Sequence, residues 1–122
     1  MKSFENLKVW EEAHKLVLAI YKITKNFPEE ERFRLINQLC RSAASVPANI
    51  SEGTGRKTLN EYVQYLCNAR GSLEETRYYL RLAKDLGYID AEEFENLNKK
   101  YNSTGRMLNG LINSLKDKTP ET

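Results

Sequence analysis

Histidine and cysteine are scarce enough in this chain to be followed one at a time. His14 is the single histidine, and Cys40 and Cys67 are the two cysteines. Glu11 and His14 stand at the Glu-x-x-His spacing that supplies half of a carboxylate-bridged di-iron site on a bundle helix. A complete site needs a second such motif and two further inward glutamates, so one histidine cannot build it. The bland reading is a part-exposed imidazole beside an apolar seam. Zinc requires four soft or imidazole ligands at matched spacing, which one histidine and two separated cysteines do not provide. A nucleophilic Cys40, Cys67 or Ser45 would need a base within hydrogen-bond reach, and nothing places His14 near any of them. The segment 53–58, Gly-Thr-Gly-Arg-Lys-Thr, has the flavour of a phosphate loop but lacks the G-x-x-x-x-G-K-[ST] spacing. It reads better as an interhelical turn whose Arg56 and Lys57 could draw an anion to the following helix N-terminus. These residues predict no enzyme, no metal and no cofactor.

Two other residue types are unevenly spread. Arg70, Arg77, Arg81 and Lys84 recur along one face of a predicted helix, with Glu74 among them. Arg34 and Arg41 lie one heptad apart, and Arg56 and Lys57 follow. Such a stripe is either a solvated face or a track for a polyanion. In the second case Arg41, Arg56, Lys57, Arg70, Arg77 and Arg81 are the nucleic-acid-binding candidates. Seven tyrosines are a large share for a small domain. Tyr65, Tyr79, Leu82 and Leu86 form a strip beside the main seam. It either widens the core or makes an oligomer interface. Mid-helix Gly71, next to Ser72, would let another backbone come close.

These side chains must be positioned by helices. Apolar residues repeat at alternating steps of three and four, the period of a helix burying one seam. Four helices are predicted, at about 7–27, 29–53, 59–86 and 91–115, with residues 116–122 as a frayed tail. The first carries Trp10, Ala13, Val17, Ile20, Thr24 and Phe27 and stops at Pro28. In the second, Glu29, Glu30 and Glu31 suit the positive end of the helix dipole. Its seam is Ile36, Leu39, Ala43, Val46 and Ile50, and Pro47 should kink it without ending it. The third opens on a Thr58–Glu61 capping box and runs through Leu59, Tyr62, Leu66, Ala69, Leu73, Thr76, Leu80 and Ala83 to Gly87 as its C′ residue. The fourth opens on Asp90 and Glu93, flanked by Ile89 and Phe94, with a seam of Phe94, Leu97, Tyr101, Thr104, Leu108, Leu111 and Leu115. Short connections force neighbouring helices to run antiparallel. The fold class predicted is all-α, an up-and-down four-helix bundle.

The bulk numbers agree with one such domain. There are 122 residues, 40% hydrophobic and 30% charged, with three prolines and six glycines. Nineteen basic against seventeen acidic residues leave a net charge of +2, which argues against a surface that is wholly a polyanion trap. The N-terminus has no apolar signal region, and the apolar run from Leu16 to Tyr21 is too short to span a bilayer. A cytoplasmic chain with reduced thiols and no membrane partner is expected. In that setting the Asn49–Ser51 and Asn102–Thr104 glycosylation patterns carry no modification.

Several stretches together resemble a known family. They are Phe4, Leu7, Val9 and Trp10; then Phe27, Pro28 and Glu31; then Gln38, Leu39, Arg41, Ala43, Ser45, Val46, Pro47, Asn49, Ile50, Glu52, Gly53, Gly55 and Arg56; then Ala69, Gly71, Ser72 and Glu75. The pattern resembles the four-helix-bundle proteins encoded by intervening sequences in bacterial 23S ribosomal RNA genes, over residues 4 to about 115. The resemblance implies a ring-like homo-pentamer. A related branch, the accessory variability determinants of diversity-generating retroelements, binds nucleic acid through basic surface residues and contacts a reverse transcriptase. Arg41 and Arg56 fall in the signature stretch and are the first candidates for contact with RNA or DNA. Pro47, Asn49, Gly53 and Gly71 are expected to shape the kink, the turn and the close packing. The expectation is therefore a non-catalytic homo-oligomer that binds nucleic acid. The rival reading is a protein-interaction scaffold without nucleic-acid affinity.

Overall fold

The computed structural model of the chain describes residues 3–118. Its helices are α1 (Lys8–Thr24), α2 (Leu35–Thr54), α3 (Leu59–Asp85) and α4 (Ala91–Lys116), with 3-10 turns at Phe4–Asn6 and Glu29–Glu31. Each helix packs on its sequence neighbours, α4 returns to α1, and the diagonal pairs do not meet among the described residues. The directions follow from individual contacts. The Trp10 indole N–H donates to Ser51 Oγ at 3.1 Å, and Thr24 Oγ1 lies 3.7 Å from Cys40 Sγ, so α1 and α2 are antiparallel. Ser45 meets Ser72 while Gln38 meets Tyr79, and Arg70 meets Asn109 while Arg77 meets Asn98. The result is the antiparallel up-and-down bundle that the periodicity predicts.

The core is the set of predicted seams with small displacements. Ile20, Leu39, Ile50, Leu66, Leu80 and Leu108 are fully buried. In α4 the expected Leu111 and Leu115 lie at the margin, and Ile112 is buried in their place. A straight helix of 3.6 residues per turn explains this, since Phe94 to Ile112 is five whole turns, whereas a strict heptad drifts off the core. Leu59, at the first position of α3, is 38% exposed.

The second helix begins later than predicted. Glu29–Glu31 form a 3-10 turn, Arg34 breaks the backbone at φ −120 and ψ −105, and α2 starts at Leu35. The break drops Leu35 into the core and leaves Phe33 84% exposed. The acidic run still serves the helix, but from outside it. Glu31 accepts the Leu35 N–H through Oε1 (3.4 Å) and the Tyr88 O–H through Oε2 (2.7 Å). α1 likewise ends at Thr24 instead of 27. Phe27 turns back through its N–H to the Thr24 carbonyl and packs on Tyr88, ring centroids 5.4 Å apart. At the other end Lys116 is still helical, so of the predicted frayed tail only 117 and 118 leave the helix among described residues, and 119–122 lie outside them.

The caps are mostly as read. Thr58 Oγ1 accepts the Glu61 N–H at 3.1 Å and Asp90 Oδ1 accepts the Glu93 N–H at 2.7 Å. The Glu61 carboxylate closes its box on the Thr58 hydroxyl instead of a backbone amide. α3 ends in a Schellman turn. Gly87 adopts φ 81°, the Tyr88 N–H reaches the Ala83 carbonyl and the Gly87 N–H reaches that of Lys84.

α2 and α3 form the most extensive pairing, along a strip of small and hydroxylated residues. α2 runs through buried Pro47 without ending. Ser42 and Thr76 pair their hydroxyls at 2.8 Å and Ser45 and Ser72 theirs at 2.9 Å. The Asn49 amide donates to both the carbonyl and the hydroxyl of Ser45. A Cβ on Gly53 would stand 2.8 Å from Tyr62 Cδ1 and 3.1 Å from Tyr65 Cβ, whereas one on Gly71 would meet no atom within 4 Å. Gly53 therefore gives the close approach, and Gly71 gives none within the chain. Gly53→Ala is expected to lower stability by about 1–3 kcal/mol through overpacking. Gly71→Ala should raise it by up to about 1 kcal/mol through helix propensity. Urea unfolding of both variants checks the pair, and shifts of the same sign would contradict this account of the seam.

Among the described residues, one buried side-chain group has no hydrogen-bond partner. Tyr101 is 1% exposed and its hydroxyl makes no hydrogen bond. Burial pushes its pKa well above the ordinary value. The folded chain thus keeps a proton that the unfolded chain loses above about pH 10, so this contribution is intact below that pH and falls as pH rises. Tyr101→Phe should leave stability at neutral pH unchanged or higher, because an unsatisfied buried hydroxyl is removed. It should also flatten the alkaline decline. Thermal melts at pH 7 and in the alkaline range read both effects.

Candidate nucleic-acid interface

The six basic candidates do not share one face. Arg70 and Arg77 point across to α4. Arg70 donates to Asn109 Oδ1 at 3.1 Å and Arg77 to Asn98 Oδ1 at 3.2 Å, with Glu74 also 3.2 Å from Arg77. Arg81 pairs with Asp85 at 3.1 Å, one turn further along α3. Lys84, on the same side, sits 4.8 Å over the Phe94 ring. Each is engaged inside the chain, but only Arg77 and Arg81 have their charge offset, by Glu74 and Asp85, while Arg70 is held by the neutral Asn109 and Cys67.

Arg41, Arg56 and Lys57 lie elsewhere, on the α2–α3 side. Arg41 is exposed and donates to Gln38 Oε1 at 3.1 Å, with no acidic partner among the described residues. It lines a cleft of about 130 Å³ with Ser42, Ser45 and Glu75. Tyr79 closes the neighbourhood by donating to Glu75 Oε2 at 3.1 Å. Arg56 forms an ion pair with Glu52 and lies 4.6 Å over the Tyr65 ring. The Glu52 hydrogen bond is the main cause of a raised Arg56 pKa. Lys57 is exposed in the α2–α3 turn. A shallow groove of about 490 Å³ beside this turn is lined by Ala48, Ser51, Glu52, Gly55 and Arg56.

The strip read from sequence as an oligomer interface also divides. Tyr65 carries Arg56, and Tyr79 holds Glu75. Leu82 packs against the core, the wider-core alternative, while Leu86 is 49% exposed. Larger exposed apolar groups fall outside it: Phe33 at 84%, Tyr78 at 60%, and Leu18 and Tyr21 on α1. Phe33 was not legible as exposed, because the expected helix ran straight through it. His14 and Glu11 are both exposed, and His14 stacks on Trp10 with centroids 5.1 Å apart at 11°. No group of three or more histidine, cysteine and carboxylate side chains among the described residues could hold a metal ion. No helix among them is long and apolar enough to cross a membrane. α1 and α4 make the least intimate of the four pairings. A groove between them is lined by Ala19, Lys22, Ile23, Leu97 and Lys100, and a second continues past Leu16 and Thr104.

An antiparallel ring of four helices with a signature stretch along α2 and the α2–α3 turn defines a class of small helical-bundle proteins. The profile of the 23S rRNA-intervening sequence protein family matches residues 5–110, and the chain belongs to that family. Among solved structures it is similar to a protein of unknown function from the S23 ribosomal protein family of Bacteroides thetaiotaomicron VPI-5482. That likeness has a TM-score of 0.80 at 25% sequence identity, covering 86% of this chain and 95% of the other. No curated protein matches.

The Glu52–Arg56 pair sets how much positive charge the α2–α3 turn offers. Glu52→Gln keeps the side-chain shape and releases the guanidinium, so affinity for a polyanion such as heparin or duplex DNA should rise several-fold at low salt. Retention on a heparin column, compared at equal fold content by circular dichroism, measures it. Unchanged elution would show that Arg56 does not face the polyanion.

Proposed function

We propose that this chain is a non-catalytic, self-associating bundle that binds RNA or DNA electrostatically through the α2–α3 side, with Arg41 as the leading contact and Arg56 and Lys57 beside it. The observation that carries the reading is the exposed Arg41 guanidinium, which has only the neutral Gln38 as partner among the described residues. Family membership supports it, since the family's name ties it to the intervening sequences of 23S rRNA genes. Arg77 and Arg81 have a lesser part, because Glu74 and Asp85 already pair with them, while Arg70, held by the neutral Asn109 and Cys67, keeps its charge on the α4 side of α3. Self-association, as the homo-pentamer the resemblance implies, is part of the same reading, and so is a cytoplasmic location.

The pairing pattern gives the reading a number. Arg41 and Lys57, with Arg56 to the extent that Glu52 leaves it free, imply a slope of log affinity against log salt of about −2 to −3 for duplex DNA, and a loss of roughly 15- to 60-fold between about 50 and 200 mM salt. Arg41→Glu should weaken binding and make the slope shallower by about one or more, with the melting temperature unchanged. Titration of fluorescent structured RNA and duplex DNA at both salt concentrations reads this. Absence of binding to either at the lower salt would rule the reading out.

A second reading, a protein-interaction scaffold, is favoured by the exposure of Phe33, Tyr78 and Leu86. Phe33 and Leu86 lie at one end of the bundle, joined there by the Tyr88–Glu31 hydrogen bond. Large apolar side chains left in water mark a surface that another protein covers.

A further inference from the structure

Trp10 is the only tryptophan in the chain, and it does not sit in the core. It is half-buried at the start of α1, with Phe4 edge-on at 5.1 Å and His14 stacked on it at 5.1 Å. Its indole N–H is fixed by Ser51, whose own hydroxyl donates to the Pro47 carbonyl at 2.9 Å. Ser51 also lines the groove of about 490 Å³ that runs to Arg56. The antiparallel register set by Trp10–Ser51 and Thr24–Cys40 brings His14 level with residues 47–50. There Ala48, small and exposed, lines the same groove. The end of the bundle thus joins an exposed imidazole backed by a rigid indole to a groove rimmed by Arg56, with Lys57 in the turn beyond.

Packing within the chain does not require this arrangement, because His14 is exposed and fills no core space. Aromatic faces beside cations are the elements on which unpaired bases stack in single-strand binding proteins, where the stack contributes more than base-edge recognition. The charge at this end is weak: Glu52 pairs with Arg56, and Glu12 takes both Lys8 and Lys15. A duplex, which offers only its phosphates, would draw on Arg56 and Lys57 alone here. An unpaired base would gain the stack.

We propose that the α1 start and the α2–α3 turn form a seat for an unpaired base of single-stranded RNA or DNA. The base lies on the free face of His14, over Trp10, and the adjoining phosphate lies against Arg56 and Lys57. This deepens the nucleic-acid reading above and rests on it.

Because Trp10 is the sole tryptophan, its fluorescence reports the site directly in the full chain. The probes are a 12-nucleotide oligo(dT), an oligo(U) of equal length and a 12-base-pair duplex, at about 50 mM salt. Quenching of Trp10 by the single strands is expected, with a several-fold preference for them over the duplex. His14→Ala should weaken single-strand binding about tenfold, as loss of one stacked base does, and should leave duplex binding unchanged. His14→Tyr, which restores an aromatic face, should recover most of the loss. His14 is exposed, so both variants should fold as the parent does, and circular dichroism verifies it. If the single strands bind with Arg41-dependent affinity but neither quench Trp10 nor respond to His14→Ala, the base seat is wrong and the electrostatic reading stands. If no probe binds, both fall.

Discussion

The close approach of α2 and α3 is the constraint on which the rest of the molecule depends. It is made possible by Gly53 under the Tyr62 ring and by residues no larger than serine or threonine at Ser42, Ser45, Ser72 and Thr76. Small side chains bring backbones together, but they bury little apolar area. These side chains carry polar atoms into the interface as well, and the hydroxyl pairs offset that cost, because each of these donors and acceptors meets another. They also fix the register: sliding one helix past the other by a turn would separate Ser42 from Thr76 and Ser45 from Ser72 at once. That register sets Arg41 beside Glu75 and Tyr79, and Arg56 over Tyr65. The candidate interface is therefore a product of the packing beneath it.

The same pairing explains why the charge stripe is weaker than it looks. α3 has two edges, one facing α2 and one facing α4. Arg70 and Arg77 are on the α4 edge, where Asn109 and Asn98 receive them, and Tyr62, Tyr65 and Tyr79 are on the α2 edge. Of the six basic candidates, the two exposed ones that lie outside this stripe and have no acidic partner among the described residues, Arg41 and Lys57, come from α2 and the turn that follows it.

How far the sequence could be read depended on the range of each interaction. Seams and caps were legible because they are local: the three-and-four spacing found Leu39, Leu66, Leu80 and Leu108, and Thr58, Asp90 and Gly87 marked helix ends through their own side chains or backbone freedom. The start of α2 was not, since three glutamates after a proline suit a helix N-terminus, and the Arg34 break is set by the need to bury Leu35 against helices elsewhere in the chain. The hydroxyl pairs went unread because a search for apolar spacing passes over serine. The split of the arginines depended on asparagines more than twenty residues away. The stack of His14 on Trp10 is a plain i, i+4 neighbour pair, and the expected part-exposed imidazole beside the seam is that stacked ring.

The groove between α1 and α4 has a consequence for how the bundle moves. Three of the four helix pairings are bridged by a connecting segment, and the α1–α4 pairing is held by side chains alone, fewer of them than anywhere else in the ring. Local opening of a protein follows the path of least buried contact. The ring therefore offers least resistance to opening at this seam, and the α2–α3 pair on its far side offers most. The bundle is thus a tightly joined helical pair, α2 with α3, closed on its far side by a lighter seam.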